Sequence, residues 1–387
     1  MTEFDDIRAY NDDEVAQVIA RLLDDPEFKR VVHWVFPDID WSQFEQTMRS
    51  FRSIYDFQST MIVNTVDWLL KKTCSSWNCT GFENIDKNNA CTYISNHRDI
   101  VLDATIICVL LLKNGYNSAE IAIGDNLLIH PWIYDIVRLN KSFIVKRGVS
   151  IRQILEASKH LSAYIHYTIA QKNQSIWIAQ REGRAKNSND KTQESLLKMF
   201  SLGSETGFIE SIRRLNITPL SISYEYDPCD YLKAKEFQLK RDNLEYKKSP
   251  HDDLLNMETG IYGFKGHIHF QIGKPINPLL DRIEATIHDK NEIITAVAEL
   301  IDREIYLNYK FFPIDYIAYD RLWGDNKTFS SLYSASDIEN FDVYLQKKLD
   351  LIDIPDKDID FLTEKILEMY AYPVKNQLAA KTWQETI

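Results

Sequence analysis

The sequence has no apolar stretch that could cross a bilayer: its longest strictly apolar run, 106–112, is seven residues, against the roughly 20 that a spanning helix needs. Its opening, Met-Thr-Glu-Phe-Asp-Asp, is too acidic for a secretory signal, so nothing is expected to span the membrane. Cysteine is scarce. The five present, Cys74, Cys79, Cys91, Cys108 and Cys229, are odd in number, irregularly spaced and without a Cys-x2-Cys pair, which argues against a disulfide framework and against zinc. Buried thiols in a reducing, cytoplasmic compartment are expected instead. Internal repeats and low-complexity tracts are also missing. Basic charge is in deficit, with 45 Lys and Arg against 57 Asp and Glu and a net charge of −12, which speaks against a general nucleic-acid binder.

What is present is a chain of 387 residues, 44% hydrophobic and 26% charged, long enough for one large or two to three ordinary cored domains. The first 85 residues read as helices, with apolar positions at Val15, Val18, Ile19 and Leu22, a second periodic stretch at 62–70, and breaks at Pro26 and Pro37. Trp34, Phe36, Trp41 and Phe44 suit inter-helix packing better than a lipid-facing patch. From Ala90 the pattern changes to short β-like runs at 91–94, 119–123, 143–145, 175–179, 218–223 and 267–271. Helices alternate with them at 101–113, 151–171 and, in two pieces, 193–215. This alternation predicts an α/β layer with a mostly parallel sheet flanked by helices. The stretch 227–253 reads as a partly helical excursion from that sheet, and beyond Pro275 the pattern turns helical at 285–307, 335–349 and 359–372. The expected organisation is an N-terminal helical region 1–85, an α/β domain 86–280 and a C-terminal helical region 281–387.

The chemistry concentrates in Ser95-Asn96-His97-Arg98-Asp99-Ile100-Val101-Leu102-Asp103, which puts a histidine directly after a buried strand and before an apolar helix, where parallel sheets place their sites. A neutral imidazole held there takes a proton from an alcohol if its other nitrogen donates to a carboxylate, and Asp99 and Asp103 are both in reach. The plain alternative is that His97, aided by Asn96, caps the helix. Further on, the segment 138–186 holds ten basic and two acidic residues, a local preference for anions in an acidic chain. Within it Ser142-Phe143-Ile144-Val145-Lys146-Arg147-Gly148 ends a strand in two cations, and Arg181-Glu182-Gly183-Arg184-Ala185-Lys186 is a glycine-containing basic turn. There an arginine grips phosphate bidentately and a lysine adds a mobile charge. Pro219 reads as an edge or entry proline in its strand.

Taken together these blocks resemble the glycerol-3-phosphate and 1-acylglycerol-3-phosphate (lysophosphatidate) acyltransferase family, over roughly 89–277. The family signature is Asn/Ser-His-x4-Asp at a strand-to-helix turn, then an apolar strand ending in arginine, then a glycine–arginine block, then a strand of Val-Pro-Val type. Here five residues, not four, separate His97 from Asp103. Gly183-Arg184-Ala185-Lys186 is similar to the Gly-Gly-Arg-x-Arg form of the glycerol-3-phosphate branch, and Gly273-Lys274-Pro275 to a turn near the end of such domains. The resemblance implies a glycerolipid acyltransferase-like fold with added N- and C-terminal helical regions. It implies His97 as general base with Asp103 as its orienting acid and Asp99 as the fallback, and Lys146, Arg147, Gly183, Arg184 and Lys186 around the acceptor phosphate. It further implies acyl-CoA or acyl carrier protein as donor, a phosphorylated glycerol acceptor in phospholipid biosynthesis, no metal or prosthetic group, and peripheral attachment to the inner face of the cytoplasmic membrane. Two other expectations fit the same residues: an amino-acid-containing lysolipid as acceptor, or a catalytically silent module that binds lipid or carrier protein.

Overall fold

The computed structural model describes residues 3–382 apart from 149, 205 and 326. Seven strands, β1 (Ser76–Thr80), β2 (Thr92–Ser95), β3 (Glu120–Gly124), β4 (Ser142–Val145), β5 (Ile176–Ala179), β6 (Ile217–Tyr224) and β7 (His267–Ile272), form one sheet in the order β1-β7-β6-β2-β5-β3-β4. All pairings are parallel except β6 with β7. The fold is therefore α/β with a central, mostly parallel sheet flanked by helices and extended by helices at both ends. Each strand read from the sequence is present to within two residues at either end. β2 and β6 are buried along their whole length, as strands covered on both faces must be.

β1 lies inside the segment read as purely helical, and its composition explains why. Ser76, Asn78 and Thr80 alternate with Trp77 and Cys79, so the strand has one polar face. Those polar side chains bond to His267, His269 and Gln271 on β7, while the apolar face joins the core. An edge strand of this kind lacks the apolar run that betrays a central one. Pro219 likewise sits inside a central strand, not at an edge. Its carbonyl accepts the Gly273 N–H at 2.8 Å, and its missing N–H falls on the same flank, beyond the last β6–β7 pair, Leu220 with Ile272. No ladder bond is lost there.

The core does not stop at residue 280. Ile294, Val297, Ile301 and Ile305 of the helix Lys290–Leu307 pack in one cluster with Ile94, Phe143, Ile178 and Ile217 from four strands, because the apolar stripe of that helix has the sheet to bury against. A separate cluster joins the helices Pro313–Leu322, Ala335–Asp350 and Ile359–Thr382 to Ala234. Near the other end, Phe44 is buried and Phe36 and Trp41 half-buried in an N-terminal cluster, whereas Trp34 is 60% exposed and meets Tyr262 edge-on. The free flank of β4 is covered by the N-terminal segment, where Ile7 O accepts from Ile144 N at 2.8 Å.

One carboxylate at the start of the helix Asp230–Asp242 gathers groups from two of the C-terminal helices. Asp230, wholly buried, accepts from Tyr344 Oη at 2.6 Å and Tyr370 Oη at 2.8 Å and pairs with Lys348 Nζ at 3.1 Å. Removing it takes away the acceptor that both phenols and the half-buried Lys348 share, leaving Lys348 with Pro228 O and the phenols with each other. Asp230→Ala is expected to lower unfolding stability by about 1–3 kcal/mol and Tyr344→Phe by about 1 kcal/mol, as measured by urea unfolding.

Candidate active site

The parallel strands β2, β3, β4 and β5 all deliver their C-terminal ends to one edge of the sheet, and His97 follows β2 there by two residues. The strand end is fixed from both sides. Ser95 O accepts from Gln180 N at 2.8 Å, and the Asn96 amide makes two 2.8 Å bonds to the Ile222 backbone on β6, one in each direction. Asn96 thus continues the sheet with its side chain. His97 lies edge-on to Trp177, ring centroids 5.6 Å apart, and Trp177 Nε1 donates to Ser95 Oγ at 3.1 Å. Both contacts hold the imidazole plane.

His97 Nδ1 lies 2.8 Å from Asp103 Oδ2. That oxygen also accepts the backbone N–H groups of Arg98 at 2.6 Å and Asp99 at 3.0 Å, so the carboxylate is fixed from inside by the turn it orients. With Nδ1–H donating to Asp103, the tautomer leaves the Nε2 lone pair available to accept a proton. The cap of the following helix, Leu102–Lys113, is neither His97 nor Asn96. Asp99 Oδ1 takes the N–H groups of Val101 and Leu102 at 2.9 and 2.8 Å. The two carboxylates therefore do different things, and the additional residue in the spacing is taken up in the irregular turn 98–101. Burial, then Asp103, push Asp99 above the usual carboxylate range. Tyr224, at the end of β6, is buried beside both acids, and burial together with Asp103 and Asp99 keeps its phenol protonated.

The cations read from the sequence divide into two sets. Arg147 lies across Gly124 and reaches Glu182 at 3.4 Å, linking the ends of β4 and β5 at the surface. Gly183, in a left-handed conformation (φ +67°), turns the chain so that Arg184 points inward. Arg184 Nη2 donates to Asn256 at 3.3 Å, and its Nη1 is buried without a partner among the described residues. Arg147 and Arg184 keep donors to offer. Lys146 is engaged elsewhere, with Asp6 of the N-terminal segment, and Lys186 is paired with Glu236, which also holds Lys240. Burial and the nearby cations Lys240, Lys248 and Arg184 push Lys186 down to about 7.

Three contributors are not evident from spacing. Arg98, the residue after the histidine, is buried and pairs with the buried Asp190 at 3.1 Å. The helix Pro250–Tyr262 brings Asn256 to Arg184 and Gly260 to Asp99, where a β-carbon would fall inside van der Waals contact of the Asp99 carboxylate. A cavity of about 30 Å³ beside Arg98, lined also by Tyr224, Asp227, Tyr309 and Tyr370, has room for a water molecule or two. Of these, only Arg98 carried a sequence signal, its place in the histidine motif.

If Asp103 orients His97 and Asp99 only caps the helix, Asp103→Asn lowers kcat by about 10²- to 10⁴-fold. Asp99→Asn, whose amide oxygen still accepts at the cap, lowers it less than tenfold. Gly260→Ala displaces Asp99 and is expected to destabilise the protein by about 1–3 kcal/mol, seen as a lowered Tm.

Residues 76–224, which hold β1 to β6 and every candidate residue named from the sequence, match the family model described as Acyltransferase. No curated protein matches the chain. Among solved structures, the crystal structure of the 1-acyl-sn-glycerophosphate (LPA) acyltransferase PlsC from Thermotoga maritima aligns at 12% identity with a TM-score of 0.37, over 77% of this chain and 98% of that one. The segment 76–224 is thus similar to the acyltransferase family in sequence, and it carries a histidine–aspartate pair at the end of its second strand.

Proposed function

We propose that the protein transfers a fatty acyl group from an acyl thioester, acyl-CoA or acyl carrier protein, to a hydroxyl of glycerol 3-phosphate or 1-acylglycerol 3-phosphate. The observation that carries this reading is the 2.8 Å contact of His97 Nδ1 with a carboxylate already committed to two backbone amides, which prepares Nε2 as a base. The acceptor hydroxyl gives its proton to Nε2 as its oxygen attacks the thioester carbonyl. The tetrahedral adduct then collapses, the carbon–sulfur bond breaks, and the imidazolium returns the proton to the departing thiolate. An ester and a free thiol result, and no covalent enzyme intermediate is needed. Asp103 stabilises the imidazolium while it lasts.

Arg147 and Arg184 are the cations we assign to the acceptor phosphate, since both retain donors, and guanidinium groups match phosphate oxygens in pairs. Lys146 and Lys186 then act indirectly, by holding the N-terminal segment and the helix Asp230–Asp242 against the sheet. No helix among the described residues is long and apolar enough to cross a membrane, and we propose that the enzyme meets its lipid substrate or product at the inner face of the cytoplasmic membrane.

The test incubates purified protein with acyl-CoA and acyl carrier protein thioesters against a panel of acceptors that includes an amino-acid-containing lysolipid, identifying the acylated product by mass. His97→Ala is expected to lower transfer by at least about 10²-fold while the protein stays folded by circular dichroism. Wild-type-like transfer by that variant excludes His97 as the base. Arg184→Ala is expected to raise the KM for the phosphorylated acceptor by about 10- to 100-fold, a loss of about 1.5–3 kcal/mol from a charged hydrogen bond, with the KM for the thioester unchanged.

A further inference from the structure

The histidine turn and the basic turn come from different strands, separated by more than 80 residues of chain, and a transfer reaction needs them at a fixed distance. One side-chain pair bridges them. Arg98, next to His97, is 7% exposed and Asp190, four residues beyond Lys186, is fully buried. They meet at 3.1 Å. Among the described residues, the Arg98 guanidinium otherwise reaches Tyr309 Oη, at 3.5 Å. Neither oxygen of Asp190, nor Arg98 Nη1, has a hydrogen-bond partner among the described residues, so the two are held together by charge and not by an aligned hydrogen bond.

The loop carrying Asp190 is itself anchored. Thr192 gives its N–H and hydroxyl to Asp302 Oδ1 at 2.7 and 2.6 Å, and Tyr306 Oη donates to Asp190 O. Both partners lie on the helix Lys290–Leu307, which packs on the sheet core. On the histidine side, the Arg98 N–H donates to Asp103, so the residue that enters the ion pair also contributes a bond to the carboxylate that orients His97. A buried ion pair is weak support for stability, because desolvation offsets most of the attraction. Separating the two, however, leaves uncompensated buried charges, which is strongly unfavourable.

We propose that Arg98 and Asp190 form a charged clasp that sets the placement of His97 relative to the Gly183–Lys186 turn, Arg98 acting as a positioning residue and not on substrate. The proposal rests on the acyl-transfer reading for its kinetic consequence, but not for its structural one, so the two are tested separately. Asp190→Asn, Arg98→Gln and the double variant are compared with wild type by hydrogen exchange and by transfer of the acyl group from acyl-CoA to glycerol 3-phosphate and to 1-acylglycerol 3-phosphate.

In Asp190→Asn, peptides covering 97–103 and 181–192 are expected to exchange at least tenfold faster, while peptides from β2, β5 and β6 are unchanged. In transfer, kcat is expected to fall at least tenfold with the KM for acyl-CoA within twofold of wild type, and the double variant is expected to match the worse single variant and not the product of the two. Unchanged exchange in the two turns, or faster exchange spread evenly over the sheet, overturns the clasp. So does a kcat loss that only follows a loss of folded protein. If wild type transfers to neither acceptor, the acyl-transfer reading to these acceptors fails, and the exchange result alone decides the clasp.

Discussion

One carboxylate oxygen holds the site together. Asp103 Oδ2 collects three donors, the His97 imidazole and the backbone N–H groups of Arg98 and Asp99, from a buried position at the start of a helix. The turn that carries the histidine is thus folded around the acid that orients it, and helix, turn and imidazole are placed by one set of bonds. A carboxylate with three such donors is pre-organised, so little rearrangement is needed when an imidazolium forms beside it. The neighbouring strand ends lock this unit in place through Asn96 on one side and Gln180 on the other.

Charge is distributed on the same plan. An acidic chain carries a basic segment, yet much of that basic charge is matched internally: Lys146 by Asp6, Lys172 by Glu120, Lys186 by Glu236. Two guanidinium groups of this segment are left with donors to give, Arg147 at the surface and Arg184 inside.

The legible parts of this arrangement were those with a period or a punctuation mark. Buried strands such as 176–179 announce themselves by uninterrupted apolar residues, and the strand–histidine–helix junction by the abrupt change of pattern at Asn96. β1 was not legible because its hydrogen bonds to β7 are made by residues that look like a loop, Ser76, Asn78 and Thr80. The division of labour between Asp99 and Asp103 was equally hidden, since both fall within the same turn and only the path of the backbone decides which faces the ring. Asp190 and Gly260 matter through contacts formed across long loops, which no local spacing encodes. The extension of the core to the helix Lys290–Leu307 was missed for the same reason: its apolar stripe was visible, but not the surface it would cover.

The sheet order also bears on how the chain reaches this state. Among the described residues β1 pairs with β7 alone, Ser76 opposite His267, and β7 joins the rest of the sheet antiparallel to β6. The first strand made must therefore wait, with its bonding edge unsatisfied, until about 190 further residues have been assembled. Its polar face keeps it soluble in the interval, where an apolar strand would invite pairing with a neighbouring chain. The composition that conceals β1 as a strand is in this sense suited to a strand whose partner lies so far along the chain, since pairings distant in sequence form slowly.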